Sequence, residues 1–193
     1  MKKIFYILTL TTLLLNCNSV QQSEKTESNT MENFELTPDN AHPNAKKLLT
    51  EEFYWSPIEE TGPFGSDDGS DSFYGFVEWR NNNKNESPVT YLKELIQGWG
   101  YPTFDLNLTD PEKIKQLLKD MDSRMLIGQD NAVVAVGFGQ FVLEGKIDND
   151  IRDLTKKALK RELTADLLNE FRGDYRATRK GQLERMLIVL DKM

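Results

Sequence analysis

Three prolines stand at the head of apolar patterns with helical period, and this punctuation constrains the fold more than any other feature of the chain. Pro43, Pro88 and Pro111 can each sit in the first turn of a helix, where proline's missing N–H is not needed and its fixed φ is already helical. Ser87 and Asp110 precede two of them and carry the side-chain oxygen that caps a first turn. Behind Pro43, Ala45, Leu49 and Phe53 recur four apart, with Leu48 beside them, which predicts a helix over 43–53. Behind Pro88, the run Tyr91, Leu92, Leu95, Ile96 and Trp99 predicts a helix ending near Gly98–Gly100. Behind Pro111 the apolar face is Ile114, Leu117, Leu118 and Met121.

Other helices follow from the same logic. Pro57 and the Gly62-Pro63 pair break the chain, and Ser66, Asp67 or Ser70 can cap a helix running from about Asp68 to Asn81. Phe73, Phe76, Val77 and Arg80 share one of its faces. Residues 101–108 read as extended. The run 130–145, DNAVVAVGFGQFVLEG, suits a buried strand by propensity. Its uninterrupted length of about 15 residues favours a helix instead, with Asp130 as cap and Gly145 as left-handed stop. Gly137 and Gly139 would then admit a close neighbour. Asp148 or Asp150 opens a helix whose broad face includes Ile151, Leu154, Ala158, Leu159, Leu163, Leu167 and Leu168. Residues 172–174 form a joint, and a last helix from about Tyr175 turns Leu183, Met186, Leu187 and Leu190 inward. Short connections imply mostly antiparallel neighbours. The expected fold is all-α, a compact domain of about seven helices with at most one short extended segment.

The first residues read as a processing signal. Lys2 and Lys3 precede an apolar run from Ile4 to Leu15, short of the roughly 20 residues a spanning helix needs. Cys17 follows directly and is the chain's sole cysteine, a placement that resembles a bacterial lipobox with Asn16 in place of the usual small residue. The expected organisation is a signal peptide over 1–16, a lipidated Cys17 with a polar tether to residue 33, and a single helical domain over 34–193. Export and anchoring to a bacterial membrane, facing periplasm or surface, follow from that reading. Loss of Lys2 and Lys3 with the leader takes the formal charge from −7 to −9. So acidic a body argues against nucleic acid as a partner. The expected partners are the bilayer, through Cys17, and another envelope protein.

Between two aromatic clusters lies an acidic turn with Glu59, Glu60, Asp67, Asp68 and Asp71 and with no Lys or Arg. Carboxylates in one loop could hold a divalent cation, the one cofactor this sequence leaves open. The spacing is not that of an EF-hand. Helix capping explains the same residues, because the dipole and free N–H groups favour acid at a helix start. Paired carboxylates could also serve a hydrolase if they lay across a cleft. His42 is the chain's sole histidine, with no nucleophile elbow to accompany it and no thiols or second imidazole for zinc. Its place before Pro43 suits capping or packing. Trp55, Phe64, Tyr74 and Trp79 could form an exposed recognition patch or fill the core. The basic sets Lys156, Lys157, Lys160, Arg161 and Arg172, Arg176, Arg179, Lys180 are interleaved with acids and read as solvated helix faces.

The run from His42 to Asp71, HPNAKKLLTEEFYWSPIEETGPFGSDDGSD, resembles uncharacterised bacterial proteins related to YfeS, through a G-x-F-x-x-D-x-x-x-D core at Gly62, Phe64, Asp67 and Asp71. It also looks like a wider group of small helical domains of unknown function. The resemblance implies a helical fold and no reaction. The sequence therefore points to a membrane-anchored binding or interaction domain, with a carboxylate-based, cation-dependent hydrolase as the alternative.

Overall fold

The computed structural model describes residues 34–193. The expected leader, Cys17 and the tether lie outside the described residues. Eight α-helices follow in order: α1 (Pro43–Leu48), α2 (Asp67–Asn82), α3 (Pro88–Gly98), α4 (Pro111–Leu117), α5 (Ser123–Glu144), α6 (Asn149–Glu162), α7 (Ala165–Leu168) and α8 (Gly173–Leu190). A single 3-10 turn, Glu52–Tyr54, lies between α1 and α2. The fold is all-α, and no strand occurs among the described residues.

The arrangement is organised by α5. Every residue from Ala132 to Val142 is buried, so this helix is apolar on all sides and needs neighbours all round it. α2 covers it most extensively, then α6, with α3 and α1 closing the remainder. Among the described residues α5 is also the one helix long and apolar enough to cross a membrane, and here it is the centre of the bundle. Residues 130–145 are thus helical, as length suggested, but Asp130 does not cap the helix. The cap lies eight residues earlier, where the Asp122 carboxylate accepts from the Arg124 N–H at 2.9 Å. The apolar pattern continues back through Ile127 and Leu126, and Asp130 is left wholly buried in mid-helix. At the other end Gly145 adopts φ +66° and its N–H reaches the Phe141 carbonyl.

Two boundaries differ from the periodic pattern, each for a packing reason. α1 stops at Leu48 because the Trp55 indole N–H takes the Leu49 carbonyl at 2.7 Å, so residues 49–55 fold back into the 3-10 turn. Phe53 and Tyr54 of that turn are both buried. α6 ends at Glu162, and Thr164 Oγ1 donates to the Arg161 carbonyl. The break lets Leu168 join the main core while Leu167 enters a second, smaller one with Ile114, Met121 and Leu126. Among the described residues the break makes the count eight, in keeping with the expected bundle of about seven helices.

Close approach of α6 to α5 depends on Gly137. A Cβ there would lie inside the envelope of Thr155 Oγ1 and 3.2 Å from Thr155 Cβ. Gly137→Ala should destabilise the fold by about 1–3 kcal/mol despite alanine's better helix propensity. Thr155→Ala in the same chain should recover part of the loss in urea unfolding. A stabilised Gly137→Ala single variant would contradict this packing.

Candidate functional site

The acidic turn folds onto itself and then onto the bundle. Ser66 caps α2, accepting the Gly69 N–H at 3.1 Å, and Asp67 and Asp68 fill the first turn where the dipole favours them. The Glu59 carboxylate accepts from Thr61 N and Thr61 Oγ1, and the Glu59 carbonyl accepts from Gly62 N at 2.7 Å. Glu60 Oε2 accepts from the Tyr175 hydroxyl on α8 at 3.1 Å. Burial, and then Glu60, push the Tyr175 hydroxyl up to about 12. Asp67 and Asp71 face solvent. Asp68 is half-buried over Gly128 of α5, and its carboxyl is raised by burial and by neighbouring Asp67 and Asp71. The five carboxylates thus point to different places. Among the described residues no three His, Cys, Asp or Glu side chains come together as a cation site. Nor do Glu59, Asp67 and Asp71 meet across a cleft, as paired-carboxylate hydrolysis would require.

Beneath the turn lie charges that the sequence pattern placed in solvent. Arg179 of α8 is 2 % exposed and pairs with Glu162, which is fully buried, at 2.7 Å from Nη2 to Oε1. The same guanidinium donates to the Thr61 carbonyl at 2.8 Å and to Asn131 Oδ1 at 3.0 Å. One side chain therefore joins α5, α6, α8 and the acidic turn. Arg161 forms the second pair with Asp130, through Nη2 at 2.6 Å and Nε at 2.9 Å, and both side chains are wholly buried. Its Nη1 donates to the Leu106 and Leu108 carbonyls, and its guanidinium lies 4.8 Å from the Phe104 ring centre. Burial pushes the Asp130 carboxyl up to about 7 against the opposing pull of Arg161. A third pair closes the opposite end: Arg80 Nε lies 2.8 Å from Glu144 Oε1, out of line for a hydrogen bond, while Nη1 donates to the Asn83 and Glu86 carbonyls.

Both basic stretches are therefore mixed rather than solvated faces. Lys180 pairs with Glu184 one turn on, and Lys156 reaches Asp191 at 2.6 Å, as surface pairs do. Arg161 and Arg179 instead turn inward. Two sequence signals pointed that way: Arg80 falls on the apolar face of α2, and Asp130 interrupts the apolar run of α5.

The aromatic candidates divide as well. Phe64 is buried, with its ring 4.6 Å from Phe73, so it belongs to the core and not to a surface patch. Trp79 is partly buried against Phe76 and Tyr91. Tyr74 is 39 % exposed, and Trp55 is half-buried. Trp55 lines a groove of about 750 Å³ with Leu36, Leu49, Pro57 and Ile58, whose side chain is 85 % exposed. A second groove of about 770 Å³ runs between α3, α6 and residues 103–107. His42 caps α1, its Nδ1 accepting the Asn44 N–H at 3.2 Å, and packs on Gly145.

The chain is similar to the uncharacterised protein YfeS of Escherichia coli (strain K12), with 28 % identity over 132 residues. That likeness carries no activity with it. The match covers 66 % of this chain and 53 % of YfeS, so the chain spans about half the length of that relative. No family profile matches the chain, and no solved structure does. The chain holds a small helical domain related in sequence to an uncharacterised protein.

If Arg179 is what seats the turn, Arg179→Met should cost about 3–5 kcal/mol, because it strands the Glu162 carboxylate in the core. Arg179→Met with Glu162→Met should regain most of that stability yet leave the turn without its Thr61 contact. Limited proteolysis of the double variant should then cut between Pro57 and Ser66, where the wild type resists. Equal resistance in both would remove Arg179 as the anchor of the turn.

Proposed function

We propose that this protein is a membrane-anchored, extracytoplasmic binding or interaction domain, held to a bacterial membrane through a lipidated Cys17. The observation that carries the reading is the placement of the sole cysteine one residue after the apolar run from Ile4 to Leu15 and before a largely polar stretch, 18–33, that leads into the folded body. A single acyl chain binds a bilayer only marginally, so stable anchoring takes more than one chain on that cysteine. Binding rather than catalysis is supported by the dispersal of the acidic-turn carboxylates, each engaged with a different neighbour or facing solvent. It is also supported by two open grooves and by Ile58, whose side chain projects beside Trp55. An apolar, aromatic-flanked surface of that kind suits a protein partner.

Cys17→Ser expressed in a bacterial host should shift the protein from the membrane pellet to the soluble fraction. It should also abolish incorporation of labelled palmitate. Membrane retention of the variant after a carbonate wash would contradict the anchor.

A further inference from the structure

The groove that Trp55 lines opens where the described chain begins. Leu36, Thr37 and Pro38 contribute to its lining, a few positions after Phe34, together with Leu49, Trp55 and Ile58. Whatever precedes residue 34 therefore joins the body beside this groove. Seventeen positions separate Cys17 from Phe34. Fully extended they reach about 60 Å at most, so a bilayer holding Cys17 is never further than that from this entry point. The same face lies at one end of the bundle. The His42 N–H of α1 takes the Val142 carbonyl near the end of α5, whereas Ile114 of α4 packs on Leu126 near its start, about 30 Å away along the helix.

The chemistry of the face favours lipid. Ile58, at 85 %, is the most exposed of the large apolar side chains among the described residues, and Pro57 beside it is exposed too. The charged residues of the lining are Lys46 and Glu52, one of each sign. A chain of formal charge −7 is repelled by anionic headgroups, and a face without excess negative charge is the one that can approach them. The donors at the tip are already engaged. The Trp55 N–H takes the Glu52 carbonyl at 2.9 Å, and its indole N–H takes the Leu49 carbonyl at 2.7 Å. Pro57 has no N–H, and the Ile58 and Glu59 N–H groups both donate to Ser56 Oγ, at 3.4 and 3.1 Å. Hydrocarbon accepts a polar group only when it is paired within the protein, whereas a protein partner can supply the missing bond.

We infer that residues 55–58 dock on the bilayer that holds the anchor, with Ile58 in the acyl boundary and the Trp55 ring at headgroup level, where tryptophan concentrates. A contact this small is weak alone. The tether makes it intramolecular, and a linked contact faces an effective concentration on the order of millimolar. Of the partners that an apolar, aromatic-flanked face can take, the bilayer is the one the anchor itself supplies. The inference rests on the anchored reading above.

The test uses the full-length lipidated protein in vesicles of phosphatidylethanolamine and phosphatidylglycerol, with one nitroxide label on Thr50→Cys, at the exposed rim of the groove, or on Lys113→Cys of α4. Collision of the label with a water-soluble nickel chelate is read by power saturation. Position 50 should be shielded about threefold or more relative to position 113, as expected for a segment seated in the headgroup region. Adding Ile58→Glu, an exposed change that leaves the fold intact, should remove the shielding while the protein still floats with the vesicles. Flotation with position 50 as open as position 113 overturns the inference alone and leaves the groove to a protein partner. Shielding unchanged by Ile58→Glu overturns it as well. Failure of the wild type to float overturns the anchor, and the inference with it.

Discussion

Two arginines buried against two carboxylates hold this bundle in one arrangement. Arg161 with Asp130, and Arg179 with Glu162, cross the contacts between α5, α6 and α8. Each guanidinium also donates to backbone carbonyls of irregular segments, those of Leu106 and Leu108 for Arg161 and that of Thr61 for Arg179. Guanidinium suits this place because its planar fork can grip a carboxylate and still offer N–H groups elsewhere. Desolvating such pairs is costly, and an apolar core of the same shape could be as stable. What the pairs add is position. Apolar packing alone would not fix where the acidic turn and the 101–108 segment lie, since neither carries a continuous hydrophobic face.

The helices were legible in the sequence because their ends are written in local chemistry. Ser66, Ser87, Asp110 and Gly145 mark their boundaries by short-range hydrogen bonds or by backbone conformation, and all four do so in the structure. The inward faces were legible too where period alone decides, as for Leu183, Met186 and Leu190 of α8. What periodicity could not give was long-range pairing. Arg161 and Asp130 are 31 positions apart, and Arg179 and Thr61 are 118 apart. Each looks like a solvated group until its partner is known. The early stop of α1 was hidden for the same reason, since it depends on an indole reaching back to the Leu49 carbonyl.

The candidate site shows the same division. The acidic turn was recognisable as a helix start, and Ser66, Asp67 and Asp68 hold those places. Whether its carboxylates converge was a question of tertiary direction, and they disperse to Thr61, Tyr175, Gly128 and solvent. Phe64 was ambiguous between core and surface because an aromatic in a turn serves either, and contact with Phe73 settles it inside. The α3–α6 groove had no signature along the chain. Its lining comes from four separate segments, α3, residues 103–107, α5 and α6, which meet only in the folded chain.

The central claim is that the acidic turn is part of the core's cooperative unit and not a mobile surface loop. Native-state hydrogen exchange tests it directly, because opening free energies separate locally fraying segments from those that exchange only on global unfolding. The amides of Thr61, Gly62, Gly69 and Ser70, all hydrogen-bonded within the turn and its cap, should be protected to the same free energy as Val134 and Phe138 at the centre of α5. Exchange of the turn amides at rates near those of an unstructured loop, with α5 still protected, would contradict the account.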